Sequence, residues 1–343
     1  MLNQLISNDE IYREIFVEPG ELAKKIAGEY GYLPYMIQRY MYMLGVNDTY
    51  KLLEAFEKQV KPVIRTNTLL VEPRKLYSRL SDLGFILEEI RWAPYSFRVI
   101  ESPDSPTIGS THEYLKGYYY VHRDPATLIP SIILVHGFRG DVLDCCAAPG
   151  GKATHIAQLL NGEYHVYAND LVLYRLRALI GHILRMKLGN IIVTWSDARK
   201  LPSLLNKRFE RIILDVPCSG EGTIMIDKTR KTKTRQSDLA RMVKREIELL
   251  WSGLELLEYD GLLVYTTCSI APEENEYVVS KVIELRNDIE IVDPPVKLFN
   301  WSRGLTSFHR LKFVETTSRC IRVWPHLHGM IGLTICIITK TRR

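Results

Sequence analysis

The chain has 343 residues, 46% of them hydrophobic and 25% charged, with a net charge of +5, which describes a globular protein of roughly two or three domains with a sizeable core. No apolar run approaches the ~18 residues that a membrane helix needs, and the first ten residues lack the charged and apolar regions of a secretory leader. The six cysteines include no C-x-x-C pair, which speaks against a zinc site or a disulfide framework. The expectations are a cytoplasmic, membrane-free protein, monomeric, with reduced thiols.

In chain order, residues 1–60 read as a helical N-terminal segment, with apolar residues at 3.6 spacing punctuated by Pro19, Pro34 and Gly45. The Tyr and Met residues between Tyr30 and Met43 read as a core stripe. Residues 61–125 read as a small α+β module: strand 63–70, helix 73–84, strands at 85–92 and FRVI, then a strand in YLKGYYYVH after a turn-rich stretch. From residue 126 onward a helix leads to Gly140, and from Asp141 strands and helices alternate strictly. Such alternation predicts a doubly wound α/β domain, 126–343, on a mostly parallel sheet. The tail runs RCIRVW and GLTICIITK would close that sheet as an antiparallel pair.

Chemistry gathers at the carboxyl ends of the predicted strands, the edge where open parallel sheets bind ligands. The first strand ends in Asp144-Cys145-Cys146-Ala147-Ala148-Pro149-Gly150-Gly151-Lys152, whose small residues let a nucleotide-like cofactor approach the backbone at a helix N-terminus. A P-loop is excluded, because Cys146 and Ala153 stand where that motif has its first glycine and its metal-binding hydroxyl. Asp170 closes the second strand, where a carboxylate can accept from ribose hydroxyls, and Asp197 follows the third, suited to an adenine amino group. Single Asp residues at such positions commonly cap helices instead.

Two cysteines follow apolar strands fifty residues apart: Cys218 in DVPCSGEG (215–222) and Cys268 in TTCS (266–269). Neighbouring strands would bring both thiols to one substrate, and Lys152 or a basic stripe could lower a thiol's pKa. That stripe runs from Asp227 to Arg245, eight cations against Asp227 and Asp238, a local net charge of +6. Beside a candidate site it points to a polyanionic substrate. The histidines lack a metal-ligand pattern, and no metal is assigned.

These residues carry a family resemblance. DCCAAPGGK, DVPCSGEG and TTCS resemble, in order and spacing, three motifs of the RNA (cytosine-5) methyltransferases of the NOL1/NOP2/Sun family. IRTNTL (64–69) resembles the start of that family's N-terminal RNA-recognition-like (RRM-like) domain. The resemblance covers the chain from about Tyr32 onward and implies a Rossmann-like methyltransferase sheet with S-adenosylmethionine as methyl donor. The residues that match the family's cofactor positions are Cys146, Ala147, Ala148, Pro149, Gly150, Gly151 and Lys152, together with Asp170, Arg175, Asp197 and Asp215. It further implies that Cys268 attacks carbon 6 of cytosine, that Asp215 faces ring nitrogen 3, and that Cys218 serves release. The chain departs from the family at Val121-His122-Arg123-Asp124 and after Arg322-Val323-Trp324-Pro325-His326, where Gly332-Leu333-Thr334 replaces the usual ending.

A base must leave its stack to reach such a site, so looped or single-stranded RNA is the expected partner. Arg65, Asn67, Lys228, Lys231, Lys233 and Arg235 are the expected phosphate contacts, and Tyr118 to Tyr120 are candidates for stacking, though tyrosines are more often core. The compact form of the chain favours tRNA over rRNA. Two alternatives stand beside this reading: a DNA cytosine-5 enzyme, for which Cys218 alone would suffice, and a non-catalytic RNA-binding assembly factor on a methyltransferase fold.

Overall fold

The computed structural model describes residues 7–342. Three helices come first: α1 (Asn8–Ile15), α2 (Glu21–Tyr30) and α3 (Pro34–Glu57), the last kinked at Gly45. Ser7 caps α1 by accepting from the Glu10 amide at 3.1 Å. The small module follows as β1 (Val63–Thr66), α4 (Pro73–Asp82), β2 (Ile86–Glu89), β3 (Ser96–Glu101), α5 (His112–Leu115) and β4 (Tyr119–His122). Its antiparallel sheet has the order β2-β3-β1-β4, the split β-α-β arrangement. The segment YLKGYYYVH is a strand only in its second half. Thr111 caps a helical turn at α5 by accepting from the Tyr114 amide at 3.0 Å.

The large domain contains α6 (Ile129–Val135), β5 (Val142–Asp144), α7 (Gly151–Leu159), β6 (Val166–Asp170), α8 (Leu173–Met186), β7 (Ile191–Trp195), α9 (Leu201–Leu204), β8 (Phe209–Asp215), α10 (Arg230–Lys233), α11 (Gln236–Glu255), β9 (Leu257–Thr267) and α12 (Glu276–Leu285). It ends with β10 (Ile289–Val292), β11 (Ser302–Arg303), the short hairpin β12 (Ser307–Phe308) and β13 (Leu311–Lys312), β14 (Ile321–Val323), α13 (Pro325–His328) and β15 (Leu333–Lys340). The sheet order is β11-β14-β15-β9-β8-β5-β6-β7, with β10 also on β15. Strands β5 to β9 form the parallel part of the sheet, and β15 is antiparallel to β9, so the expected antiparallel closure is present. Alternating residues of β8 and β9 serve two cores. Ile212, Leu214, Leu263 and Tyr265 face α11 and α12, whereas Ile213 and Val264 face α6 to α8.

Helices α1 to α3 are not a separate unit, because Ile11, Ile26, Met36, Leu52 and Phe56 join the same core as Leu239, Val243 and Ile247 of α11. The Tyr and Met stripe is largely core, as its spacing predicts. Within α3, the guanidinium of Arg39 is fully buried, bonded to Glu273 at 2.7 and 2.8 Å and to Glu221 at 2.9 Å. Removing one member of such a buried ion group typically costs about 3–5 kcal/mol, because the remaining charges are left unpaired.

Two expectations need correction. Arg65 and Asn67 do not reach solvent. Arg65 donates to His122 (3.1 Å), to the Thr154 hydroxyl (2.8 Å) and to Gln158, and Asn67 donates to the carbonyls of Gly117 (3.1 Å) and Met186 (2.9 Å). They seat the module on α7 and α8, and Tyr119 and Tyr120 are buried there too. Cys320 and Cys336 are not free thiols but form a disulfide, with Cα atoms 4.4 Å apart. The β14–β15 register, Ile321 opposite Ile335, sets them face to face. A sixteen-residue spacing does not reveal such a pairing, because it depends on where two strands meet.

Candidate active site

Asp144, Asp170, Asp215 and Thr267 end parallel strands along one edge of the sheet, so the motifs at 144–152, 215–222 and 266–269 open on the same crevice. The loop 145–150 is built for close approach. Gly150 has φ +113°, and a Cβ there would lie 2.7 Å from Leu179. The Asp170 carboxylate accepts from the amides of Ala148 (3.1 Å) and Val172 (2.9 Å), while Arg175 donates to the Ala148 carbonyl and faces Asp170 at 3.5 Å. These bonds fix the loop from behind.

In front of it lies a cavity of about 360 Å³, lined among others by Asp144, Cys146, Ala148, Lys152, Asp215 and Cys268. A larger groove of about 770 Å³ lies on the small module against Tyr77, Leu87, Tyr95 and Phe97, but it holds no thiol and stands apart from the strand ends. The chemistry assigns the site to the smaller cavity. Asp144 is buried, accepting from the Cys146 amide at 3.3 Å through one oxygen while the other has no protein partner. Burial, then the nearby Asp215, raise its carboxyl to about 8. An orphaned carboxyl oxygen beside a glycine loop fits a polar nucleoside ligand. Asp197 does not join this wall. It caps the turn after β7 by accepting from the Arg199 amide at 3.0 Å, and its carboxylate is engaged by the Arg199 guanidinium.

The thiols meet. Cys218 Sγ lies 3.3 Å from Cys268 Sγ. Strand β8 runs beside β9 with Asp215 opposite Thr266, and the two loops are stitched together as they leave the sheet. The Val216 amide donates to Thr266 at 3.1 Å, and the Gly222 amide donates to the Cys268 carbonyl at 3.0 Å. Gly222 must lack a side chain, since a Cβ would sit 2.1 Å from the Gly332 carbonyl. Lys152 Nζ donates to Asp215 Oδ2 at 2.6 Å.

This geometry separates the two sulfurs electrically. The Cys218 S–H donates to Cys268 and holds that thiol below its usual range. Burial and the Asp215 carboxylate oppose the effect, and the Lys152 ammonium adds to it. Cys218 goes the other way, pushed well up by the same bond and then by burial, so the shared proton belongs on Cys218. Burial likewise raises the thiols of Cys145 and Cys146, leaving them neutral.

The basic stripe divides. Lys228 donates to Glu57 at 3.1 Å and to the Phe56 carbonyl, and Lys231 donates to Glu57 (2.8 Å) and the Tyr30 carbonyl (3.0 Å). Both tie the loop to the N-terminal helices; Lys231 is largely covered there, whereas Lys228 keeps an exposed side chain. Lys233 and Arg235 are exposed. Lys233 shares a second cavity, about 380 Å³, with Arg230, Arg241 and Arg245, members of the stripe that were not among the expected phosphate contacts. Arg230 donates to the Ser219 carbonyl at 2.7 Å and Arg245 to that of Pro217 at 2.6 Å, so this basic cavity adjoins the Cys218 loop. Sequence reasoning also missed Asp144, Glu221 and the pair Glu273-Glu274. For the pair, adjacent carboxylates five and six residues after Cys268 were the available signal.

A doubly wound sheet with a glycine loop on its first strand and reactive thiols on its fourth and fifth defines a Rossmann-like methyltransferase. The family described as 16S rRNA methyltransferase RsmB/F matches residues 133–338, and the chain belongs to that family. Its cofactor is S-adenosylmethionine. The chain is 34% identical to the mouse 28S rRNA (cytosine-C(5))-methyltransferase over 324 residues, 93% of this chain and 40% of the mouse protein. It is 31% identical to the Schizosaccharomyces pombe 25S rRNA (cytosine-C(5))-methyltransferase nop2, covering 93% of this chain and 53% of that protein. The chain therefore spans about half the length of these relatives or less. Among solved structures, a methyltransferase homolog protein from Pyrococcus horikoshii superposes with a TM-score of 0.82 at 30% identity, over 94% of this chain and 99% of that one. Among the described residues no helix is long and apolar enough to cross a membrane.

The separation of the sulfurs is directly measurable. In wild type, alkylation of Cys268 by iodoacetamide should set in below the pH usual for a thiol. In Cys218→Ala the donor is gone, and the midpoint should move to higher pH with the rate at neutral pH falling by roughly tenfold. An unchanged midpoint would show that Cys218 does not hold Cys268 ionised.

Proposed function

We propose that the chain methylates carbon 5 of cytosine in RNA, through a covalent bond between Cys268 and carbon 6 of the base. The observation that carries this reading is the 3.3 Å contact between the Cys218 and Cys268 sulfurs beside the cofactor cavity, with the Lys152–Asp215 pair next to them. Carbon 5 of cytosine is a weak nucleophile. Addition of the Cys268 thiolate at carbon 6 moves electron density onto carbon 5, and Asp215 with Lys152 is placed to hold the proton near ring nitrogen 3. The cofactor, held by the 146–152 loop with Asp144, Asp170 and Arg175, supplies a methyl group on a sulfonium sulfur.

Release follows from the same contact. Once the Cys268 sulfur is bonded to carbon, the thiolate that kept Cys218 protonated no longer exists. Cys218 must then give its own proton to solvent, and the resulting thiolate is the base for the hydrogen on carbon 5. As that proton leaves, the ring double bond re-forms and the Cys268 sulfur departs with its electron pair. A non-catalytic assembly factor has no need of this arrangement, and a DNA enzyme would need only one thiol.

For the polymer, the relatives described above are named for rRNA. We take rRNA as the proposed substrate. Mapping 5-methylcytosine in rRNA and tRNA from cells with and without the gene decides between them. The phosphate contacts pass from the buried Arg65 and Asn67 and the covered Lys231 to the exposed Lys228 and the basic cavity around Lys233 and Arg241.

The roles of the two thiols predict an asymmetry. With S-adenosylmethionine and substrate RNA, Cys218→Ala should accumulate a protein–RNA band that survives denaturing electrophoresis, while Cys268→Ala and the double variant should give none. A band with Cys268→Ala and none with Cys218→Ala would reverse the assignment. Separately, Lys233→Ala with Arg241→Ala should weaken binding to a single-stranded cytidine-containing RNA, flattening its salt dependence by a slope of roughly 0.7 per lost contact. An unchanged slope would make these side chains ordinary solvated surface.

A further inference from the structure

Behind the thiols lie two carboxyls that the chemistry above does not use. Glu246 of α11 and Glu274, just before α12, are both 0% exposed. Glu274 accepts from the Ser219 amide at 2.6 Å and from the Ser219 hydroxyl at 2.5 Å, and it also bonds the Ser269 hydroxyl. The two hydroxyls lie 3.3 Å apart. Ser219 and Ser269 are the residues that follow Cys218 and Cys268. One carboxylate therefore grips both cysteine loops at the positions next to the sulfurs.

Glu246 lies within hydrogen-bonding reach of Glu274, and no donor group reaches either of its oxygens. Among the described residues neither carboxyl has an ion-pair partner. Two touching carboxyls in a dry interior cannot both be ionised, and a shared proton resolves the conflict. Burial raises the Glu274 carboxyl as well, but Glu274 accepts from Ser219 and Ser269, which favours its ionised form, whereas Glu246 accepts from no donor group, so the proton belongs on Glu246. Burial, then the neighbouring Glu274, hold Glu246 well above the ordinary carboxyl range, in agreement with this placement. The other charged or titratable groups facing the pair are Arg245, Tyr265, Cys218, Cys268 and Glu221, the last already bonded to Arg39.

We infer that Glu246 and Glu274 are positioning residues for the thiols: protonated Glu246 donates to Glu274, and ionised Glu274 clamps the Ser219 and Ser269 loops so that the Cys218 S–H reaches Cys268. The part of this inference that concerns methyl transfer rests on the function proposed above, whereas the clamp itself concerns only the free protein. The negative charge of Glu274 opposes the Cys268 thiolate, but the bond from Cys218 acts on that thiol more strongly. Loosening the clamp therefore costs more thiolate than removing the charge restores.

The test is the pH dependence of Cys268 alkylation by iodoacetamide in the full chain, with S-adenosylmethionine binding as a check on folding. Glu246→Gln replaces a protonated carboxyl by an amide that still donates to Glu274, and it should alkylate within about twofold of wild type. Glu246→Leu removes that donor, and Glu274→Gln cannot accept from both Ser219 groups. Both should move the midpoint to higher pH and lower the rate at neutral pH by roughly tenfold, with cofactor affinity unchanged. Glu246→Gln as slow as Glu246→Leu would show that an ionised Glu246 is needed and overturn the inference. So would wild-type kinetics in Glu274→Gln, an isosteric change that keeps the test decisive if the leucine variant does not fold. The expected order with no trapped RNA adduct in Cys218→Ala would keep the clamp and overturn the proposed function. An adduct without that order would do the reverse.

Discussion

The site depends on buried charge holding two loops together. The Cys218 and Cys268 loops leave adjacent strands, and nothing in a parallel sheet requires their tips to touch. Contact is imposed from below by Arg39, which binds Glu221 of one loop and Glu273 of the other, and by Glu274, which turns to the opposite side and binds Ser219 and Ser269. In an interior without water such bonds are strong when complete and costly when broken, so the loops have little freedom to separate. Because Arg39 comes from α3, the N-terminal helices are part of the support of the catalytic crevice.

The same logic orders the cavity in front. The backbone of the glycine loop is fixed by Asp170 and Arg175, and Lys152 rises from the first turn of α7 to Asp215. That ammonium faces a carboxylate and a thiolate at once, so the loop that cradles the cofactor and the strand ends that carry the thiols are one electrostatic unit. The small module is joined to it through Arg65, whose bonds to Thr154 and Gln158 end on the same helix α7.

How far this was legible from the sequence depended on the range of the interaction. Strand and helix alternation is local, and so is the sequence of small residues around Gly150. Both were readable, as was the arrival of Cys218 and Cys268 at neighbouring strand ends. What could not be read were contacts set by tertiary placement. Arg65 looks like a surface cation in IRTNTL, yet β1 turns it toward α7, where His122, Thr154 and Gln158 bury it. Lys228 and Lys231 look like part of a solvent-facing stripe, yet Glu57 lies across from them. The Cys320–Cys336 bond depends on strand register, and although its spacing from Leu239, Val243 and Leu250 puts Glu246 on the buried face of α11, nothing local shows which groups meet it there.

The central claim is that Cys268, and not Cys218, is the sulfur that joins the base. It is tested most directly by trapping. An RNA substrate carrying 5-fluorocytidine at the target position has no hydrogen on carbon 5 to be removed, so the adduct cannot resolve. After reaction with the wild-type protein and S-adenosylmethionine, proteolysis and mass spectrometry of the nucleotide-bearing peptide identify the attached residue. The account predicts the peptide containing Cys268, with Cys218 unmodified; a nucleotide on Cys218 would contradict it.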